Sequence, residues 1–247
     1  MNTYLKDLIS IIIPSYDRYE MLLHSIQSVL DSEYKNVEII VVNDCSTDQR
    51  YYNKKLESFE KTKVIHLSIN QRIKYNIGAA QGMTRQEGLN IATGEYIAFL
   101  DDDDFCTKDR LRLQIEYMKN NNCLFTCGNM YLVNHKSISE EKLDIDINSM
   151  YFQPNTLPSI ITYNISRSQN LICNSTVMMH KSLIDKVGSF RVTKCWEDLD
   201  YWQRALEFTE CHYLDIPFCY YTVQMYGGEH KKEYTYDFQD KKDFGEY

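Results

Sequence analysis

The sequence predicts an α/β fold built on a doubly wound, mainly parallel sheet, and three observations support that prediction. Residues 9–13 and 37–42 are short, β-branched apolar runs of the kind that form buried parallel strands. Between them, apolar residues recur at helical spacing over residues 19–30. A strand, a helix and a second strand at this separation form a βαβ unit, whose strands pair in parallel. The same alternation of strands and helices continues through the first half of the chain.

The other elements follow from the same helical and strand periodicities. Over residues 134–170 the sequence is polar and irregular. Pro14 is expected to end the first strand, and Gly94 is expected to be a turn residue that closes the helix before it. The predicted strands lie at 9–13, 37–42, 64–67, 96–100, 171–179 and 211–223, and the predicted helices lie at 19–30, 78–92, around 111–118 and around 199–206.

The composition bounds the class of protein. The chain has 247 residues and a formal net charge of −8, and 43% of its residues are hydrophobic, which is ordinary for a globular protein. An acidic chain repels a phosphate backbone, so nucleic-acid binding is disfavoured. The sequence shows neither a signal peptide nor an apolar run of the ~18 residues that a membrane span needs. The eight scattered cysteines are expected to be free thiols in a reducing cytoplasm, in a soluble or peripherally membrane-associated protein.

Four consecutive aspartates, at 101–104, come directly after the predicted strand at 96–100. Like charges repel in a partly desolvated site, and a metal ion offsets that repulsion. Carboxylate oxygens at the mouth of a sheet suit Mn²⁺ or Mg²⁺, which usually bridge to the phosphates of a substrate. The alternative is a solvated acidic turn before a helix, where the macrodipole favours negative charge. Because four acids in a row exceed what capping requires, the cluster predicts a divalent-cation site.

Five motifs carry a resemblance to a known family. They are IIIPSY at 11–16, VVNDCSTD at 41–48, GEYIAFLDDDD at 94–104, VGSF at 187–190 and WEDLDYWQR at 196–204. In their order and spacing they resemble the family 2 glycosyltransferases. The resemblance implies a GT-A fold, which is a Rossmann-like arrangement of helices around a mixed, mainly parallel sheet. It also implies an inverting mechanism, in which a sugar moves from a nucleoside diphosphate to an acceptor hydroxyl.

The resemblance assigns the nucleotide site to the first half of the chain. Pro14, Tyr16 and Asp44 would hold the nucleobase, with Asp44 accepting a hydrogen bond from a uracil N–H. Arg85 would lie near the base or the diphosphate. Simpler alternatives exist for two of these residues: Asp44 could cap a helix that starts near Thr47, and Arg85 could be an exposed helix arginine.

The same resemblance gives each acidic residue a role. Asp101 and Asp102 would face the ribose and Asp103 would ligate the metal. Asp104 would support the metal shell, and it is also a candidate contact with the sugar or acceptor. Asp198 would be the general base. These roles agree with elementary chemistry, because a divalent ion neutralises the departing diphosphate and one carboxylate suffices to take the proton of the attacking hydroxyl.

Three further candidates lie in the second half of the chain. Trp196 is either a platform for a sugar or a hydrophobic staple for the following helix. Glu197 is a candidate contact with the sugar or acceptor, although acids at 197, 198 and 200 also suit the first turn of a helix for dipole reasons alone. His230 is a candidate third metal ligand, with a surface histidine as the alternative.

We expect a single GT-A domain over residues 1–247. Residues 1–120 would form the half that binds the nucleotide sugar, and residues 121–225 would form the half that binds the acceptor. Residues 226–247 would be a C-terminal tail or a lid that closes over the donor, with the glycines at 227 and 228 as its hinge.

The leading prediction is a metal-dependent hexosyltransferase that uses a nucleoside diphosphate sugar, preferably a UDP-sugar, and an acceptor hydroxyl of a glycan, glycoconjugate or protein. A lipid acceptor is less favoured in the absence of an anchoring segment, although peripheral membrane association stays open. One alternative is a nucleotidyltransferase of related fold, which the loop at 14–18 disfavours because it has no glycine to hold a triphosphate. The other is a catalytically degenerate sugar-nucleotide-binding protein, which the presence of both a metal aspartate and a base disfavours.

Overall fold

The computed structural model describes residues 4–78, 80–145 and 157–223, which form eleven strands and seven α-helices. The strands are β1 (Leu5–Ser15), β2 (Val37–Asn43), β3 (Thr62–His66), β4 (Gly94–Phe99), β5 (Phe105–Cys106), β6 (Phe125–Val133), β7 (His135–Ile138), β8 (Leu143–Ile145), β9 (Ile160–Ile161), β10 (Met178–His180) and β11 (Cys211–Thr222). The helices are α1 (Tyr19–Leu30), α2 (Gln71–Tyr75), α3 (Gln81–Ile91), α4 (Arg110–Asn120), α5 (Tyr163–Ser166), α6 (Lys181–Val187) and α7 (Glu197–Leu206).

One central sheet organises these elements. Its strand order is β3-β2-β1-β4-β10-β6-β11-β5, with β9 paired to β11, while β7 and β8 form a separate hairpin. The first four strands of this order are parallel, as the sequence predicts. Beyond them β10 is antiparallel to both β4 and β6, so the whole sheet is mixed. The carboxyl ends of β1, β2 and β4 therefore share one edge.

Helices cover both faces of the sheet, and the alternation of side chains along β1 divides the core in two. Ile11 and Ile13 point into a cluster beneath α1 and α4, whereas Ile12 points into a second cluster beneath α3, α6 and α7. All three isoleucines are fully buried, which explains why the strand is a continuous β-branched run.

Strand β1 continues past Pro14, where the sequence predicted its end. Its pairing with β4 ends at Ile12 and Phe99, but its pairing with β2 continues to Ser15. Pro14 thus lies where β1 has a partner on one side, which is where a strand tolerates a residue without an N–H.

The predicted strand at 171–179 is wrong over most of its length. A 3₁₀ turn at Asn174–Thr176 precedes the short strand β10. The side chain of Thr176 donates to the carbonyl of Cys173, and the hydroxyl of Ser175 accepts from the N–H of Asp101. Short polar side chains of this kind compete with a strand ladder by bonding to nearby backbone. The run Asn-Ser-Thr therefore turns the chain at the carboxyl end of β4.

The predicted helix at 78–92 corresponds to α3, and the separate helix α2 precedes it. Gly94 is the first residue of β4 and not a turn residue. A Cβ at this position would lie 2.6 Å from the carbonyl oxygen of Leu8 and 2.6 Å from the Oγ of Ser10. Glycine is therefore required for the close approach of β4 to β1.

We expect Gly94→Ala to lower the free energy of unfolding by about 1–3 kcal/mol, the usual range for overpacking a tight site. Gly78→Ala is the matched control, because the nearest atom to a Cβ there, the carbonyl oxygen of Lys194, is 4.0 Å away. Urea unfolding of both variants measures the difference. Equal stability of the two variants would contradict the close approach described here.

Candidate active site at the carboxyl edge of the sheet

The four aspartates form a tight turn between β4 and β5. The N–H of Asp104 donates to the carbonyl of Asp101 at 3.1 Å, which closes the turn. The N–H of Leu100 donates to the carbonyl of Ile12, so the turn leaves the sheet beside the end of β1. This is the edge of an open α/β sheet at which ligands bind.

Asp101 is held by two side chains from distant parts of the sequence. Its Oδ1 accepts from Arg85 Nη2 at 2.6 Å and from Asn174 Nδ2 at 2.9 Å. Its backbone N–H donates to Ser175 Oγ at 3.0 Å. The turn at Asn174–Thr176 thus braces the first aspartate, and the sequence carried no recognised motif there.

Asp102 and Asp103 share a guanidinium group. Arg18 Nη1 lies 3.1 Å from Asp102 Oδ1 and 2.6 Å from Asp103 Oδ2. The second oxygen of Asp102 accepts from Ser15 Oγ at 2.7 Å. Burial and the neighbouring Asp103 raise the pKa of Asp102 to about 7, although Arg18 lowers it. Arg18 is a functional candidate that the sequence motifs did not reveal. It is the last residue of the loop that follows β1.

Asp104 is the most deeply placed of the four, with 1% of its surface exposed. Its Oδ1 accepts from the N–H of Thr222, the last residue of β11. Its Oδ2 is buried and has no hydrogen-bond partner in the part of the chain that the structure describes. Burial, followed by Asp103 and Asp101, raises the pKa of Asp104 well above its usual value.

These carboxylates suit a small divalent cation in their chemistry. The buried Oδ2 of Asp104 has no partner among the described residues, and burial, with Asp101, raises the pKa of Asp103 although Arg18 lowers it. A cation at this turn would stabilise the ionised form of these carboxylates. Within the described ranges no group of three or more His, Cys, Asp or Glu side chains is arranged to hold a metal. Carboxylate oxygens are the ligands that Mg²⁺ and Mn²⁺ prefer. His230, the candidate third ligand, lies outside the described residues, as does the segment 226–247.

The nucleobase candidates lie at the ends of β1 and β2. Pro14 is buried within β1, and the ring of Tyr16 is 43% exposed just beyond it. Asp44 follows β2, and its two oxygens accept from the N–H of Gln71 and from Asn70 Nδ2. Burial raises the pKa of Asp44 to about 6.

The two simpler alternatives for this half of the site are wrong. Asp44 contacts the first turn of α2, whereas the 3₁₀ turn that begins after Thr47 is capped by Asp48. Arg85 is not an exposed helix arginine, because its side chain is only 4% exposed.

The start of α7 faces the acidic turn. Trp196 precedes the helix with a left-handed φ of 58° and is 41% exposed. Glu197 Oε1 accepts from Arg85 Nη1 at 3.3 Å. Burial and the adjacent Glu197 raise the pKa of Asp198 to about 6, while Arg85 lowers it. Arg85 also pairs with Asp101, so the residue next to Asp198 and the first aspartate of the turn share one guanidinium group.

The sheet edge therefore brings together the acidic turn, Arg85, Glu197 and Asp198. Their ligand roles, and those of Pro14, Tyr16 and Asp44, stay predictions. The structure adds Arg18 and Asn174 to the same edge.

A sheet of this kind, with carboxylates gathered beyond the ends of its parallel strands, defines the α/β proteins that bind ligands at that edge. The family comparison is more specific, because residues 10–188 match the family described as Glycosyl transferase family 2. That match spans most of the sequence, and the chain belongs to the family 2 glycosyltransferases. The predicted family and the predicted transferase class are confirmed.

Several named proteins are similar in sequence to parts of this chain. The UDP-Glc:alpha-D-GlcNAc-diphosphoundecaprenol beta-1,3-glucosyltransferase WfaP of Escherichia coli is 30% identical over 200 residues, which cover 81% of this chain and 70% of that protein. The putative teichuronic acid biosynthesis glycosyltransferase TuaG of Bacillus subtilis is 33% identical over 168 residues, which cover 66% of this chain and 64% of TuaG. By contrast, the chain spans only 23% of an uncharacterized glycosyltransferase of Rickettsia felis to which it is 32% identical.

A solved structure supports the fold. S. aureus TarS 1–349, in complex with UDP-GlcNAc, superposes with a TM-score of 0.68 at 23% identity, covering 90% of this chain and 60% of that one. The predicted GT-A fold is thereby confirmed. Among the described residues no helix is long and apolar enough to cross a membrane.

We expect the protein in EDTA to become more stable as the pH falls from about 8 to about 5.5. Burial raises the pKa of Asp102 to about 7, and of Asp44 and Asp198 to about 6. The folded state then binds more protons than the unfolded state throughout that window, so its stability is lost as the pH rises through these values. Urea unfolding across the window measures the trend.

Asp102→Asn is the control for this pH dependence, because the amide keeps the shape of the side chain and does not titrate. The variant should show a flatter dependence than the wild-type protein. Stability that rises with pH between 5.5 and 8 would contradict the electrostatics of the site.

Proposed function

We propose that the protein is an inverting glycosyltransferase that moves a hexose from a UDP-sugar to an acceptor hydroxyl, with Asp198 as its general base. The observation that carries the proposal is that α7 begins with Glu197 and Asp198 beside the acidic turn, where Arg85 pairs with both Glu197 and Asp101. A general base and a donor site must both lie near the anomeric carbon. The start of α7 would supply the base, and the acidic turn would form part of the donor site.

The donor would bind along the carboxyl ends of β1, β2 and β4. Tyr16 and Asp44 would contact the nucleobase, and Asp101 and Asp102, which lie further along the same edge, would face the ribose. The solved TarS complexes contain UDP and UDP-GlcNAc, and WfaP is named for a UDP-Glc donor. These likenesses favour a UDP-sugar over other nucleotide sugars.

A divalent cation, Mn²⁺ or Mg²⁺, would be held by Asp103 with support from Asp104. Such an ion neutralises the negative charge that develops on a departing nucleoside diphosphate. The chain's own residues would position the carboxylates of the turn, because Arg18 pairs with Asp102 and Asp103 and Arg85 pairs with Asp101.

Asp198 would take the proton of the attacking hydroxyl. The bond from the acceptor oxygen to the anomeric carbon forms on the face opposite the departing diphosphate, and a single displacement inverts the configuration. A pKa of about 6 leaves the carboxylate ionised at neutral pH and makes it a stronger base than an ordinary aspartate.

The acceptor is proposed to be a sugar hydroxyl on a lipid-linked glycan. WfaP is named for an acceptor carried on diphosphoundecaprenol. Residues 121–225 would supply most of the acceptor site, with the exposed ring of Trp196 at its border. A protein or free glycan acceptor is the alternative that an acceptor screen would reveal.

We expect Asp198→Asn to lower kcat by about 10²–10⁴-fold, the usual worth of a general base. UDP affinity should be unchanged, because the side chain acts on the acceptor. In the wild-type protein kcat should fall as the pH drops below about 6, where Asp198 becomes protonated. Product formation from a UDP-sugar and calorimetric titration of UDP give the two quantities.

Asp200→Asn is the matched control for this variant. Asp200 lies in the same first turn but pairs with Arg204, away from the acidic turn. Its variant should keep kcat within a few-fold of the wild-type value. Near wild-type transfer by Asp198→Asn would remove the base assignment.

We expect UDP to bind tightly in the presence of Mn²⁺ and weakly in EDTA, because the acidic edge repels a diphosphate. Asp103→Ala should abolish the difference between the two conditions. Calorimetric titrations of UDP, GDP and dTDP test both claims. UDP affinity that EDTA leaves unchanged would argue against a cation at this site, and stronger binding of another nucleotide would overturn the preference for UDP.

A further inference from the structure

Arg85 is a buried cation that touches two carboxylates from opposite sides of the site. Nη2 lies 2.6 Å from Asp101 on the turn after β4, and Nη1 lies 3.3 Å from Glu197 on α7. The side chain is 4% exposed, and its Nε is buried with no hydrogen-bond partner among the described residues. With so little of the side chain exposed, the guanidinium group presents almost no surface to a diphosphate ligand.

The helix that carries Arg85 is packed closely against α7. A Cβ on Gly82, one turn earlier, would lie 2.6 Å from Glu197 Cγ and 2.9 Å from Phe190 Cδ1. Residues three apart on a helix share a face, so the glycine and the arginine both face the start of α7. Gly82 permits the close approach of the two helices, and Arg85 pairs with Glu197 at the start of α7.

We propose that Arg85 is a positioning residue, which ties the donor-side carboxylate Asp101 to Glu197 and thereby sets where the base Asp198 stands relative to the donor. The proposal rests on the proposed function, because it gives Arg85 a role in that reaction. It differs from a nucleotide-binding role, in which the guanidinium would contact the base or the diphosphate directly.

Charge explains why this position needs a guanidinium group. Asp101, Glu197 and Asp198 would otherwise meet in a buried space with like charges facing one another. Asn174 also contacts Asp101 but carries no charge, so it cannot replace Arg85. A planar fork spans two carboxylates at once, whereas a lysine reaches one of them.

The experiment compares Arg85→Met, Arg85→Lys and Glu197→Gln in steady-state transfer and in UDP titration. At pH 8.5, where Asp198 is ionised, Arg85→Met should lower kcat by about 10²-fold, since small misplacements of a reacting group have effects of that size. The Kd for UDP should change by less than about 3-fold, because ground-state binding of the nucleotide is not the interaction removed. Arg85→Lys should fall between the wild type and Arg85→Met.

The pH profiles should move in opposite directions. Arg85→Met removes a cation that lowers the pKa of Asp198, so the acid limb of kcat should move to higher pH. Glu197→Gln removes an anion that raises that pKa, so its acid limb should move to lower pH. Glu197→Gln also keeps the pair of Arg85 with Asp101, which makes it the variant to rely on if Arg85→Met does not fold.

The double variant tests whether Arg85 acts through Glu197. If it does, the two effects on kcat at pH 8.5 are not additive, and the double variant is about as slow as Arg85→Met alone. Arg204→Met is the matched control, because Arg204 lies on α7 but pairs with Asp200 and the carbonyl of Val187. It should lower stability without moving the acid limb.

Two results would overturn the proposal. One is a loss of UDP affinity by Arg85→Met as large as the loss of kcat, with the acid limb unmoved, which would make Arg85 a ligand contact. The other is full additivity of Arg85→Met and Glu197→Gln.

Failure of the proposed function would look different. Wild-type protein that transfers no sugar would sink the glycosyltransferase proposal. The positioning claim would then be decided by the Arg85–Glu197 coupling in urea unfolding and by NMR titration of the Asp198 carboxyl. Zero coupling together with an unchanged Asp198 pKa in Arg85→Met would refute it.

Discussion

Repulsion between buried carboxylates at one edge of the sheet is the constraint on which the rest of the site depends. Asp102 and Asp104 are almost fully buried, and burial with their acidic neighbours raises the pKa of both. A fold selected for stability alone would place apolar residues there, because an uncompensated buried charge is destabilising. The surrounding structure holds these groups in place, as active sites do when they store unfavourable charge.

The groups that offset this repulsion come from several separate elements. Arg18 arrives from the loop after β1 and Arg85 from α3, while the N–H of Thr222 arrives from the end of β11. The second half of the chain therefore completes the surroundings of an acidic turn whose four aspartates belong to the first half. Strand β11 and helix α7 both come late in the chain. The packing of these two elements therefore affects the surroundings of the aspartates, which come earlier.

Local pattern predicted most of the first half of the fold and the position of the acidic cluster. Strand and helix periodicity are local signals. The carboxyl ends of parallel strands share one edge of a sheet whatever the order of the strands. The pairing of Arg85 with Glu197 could not be predicted from local pattern, because the two residues are 112 apart in sequence. Asn174 was missed for a different reason: its Asn-Ser-Thr run lies inside an apolar stretch, and bonds from polar side chains to nearby backbone overrode the strand pattern there.

The balance of charge also bears on how an acidic protein could bind an anionic donor. Six carboxylates lie at this edge, namely Asp101, Asp102, Asp103, Asp104, Glu197 and Asp198, and the guanidinium groups of Arg18 and Arg85 pair with four of them. Both arginines are already paired, so a nucleoside diphosphate would add negative charge where the protein has little positive charge to spare. Protonation of the buried acids relieves part of this excess at low pH, but it would also silence a carboxylate base. A divalent cation relieves it at neutral pH while the base stays ionised, and for that reason a cation and a base are expected to occur together here.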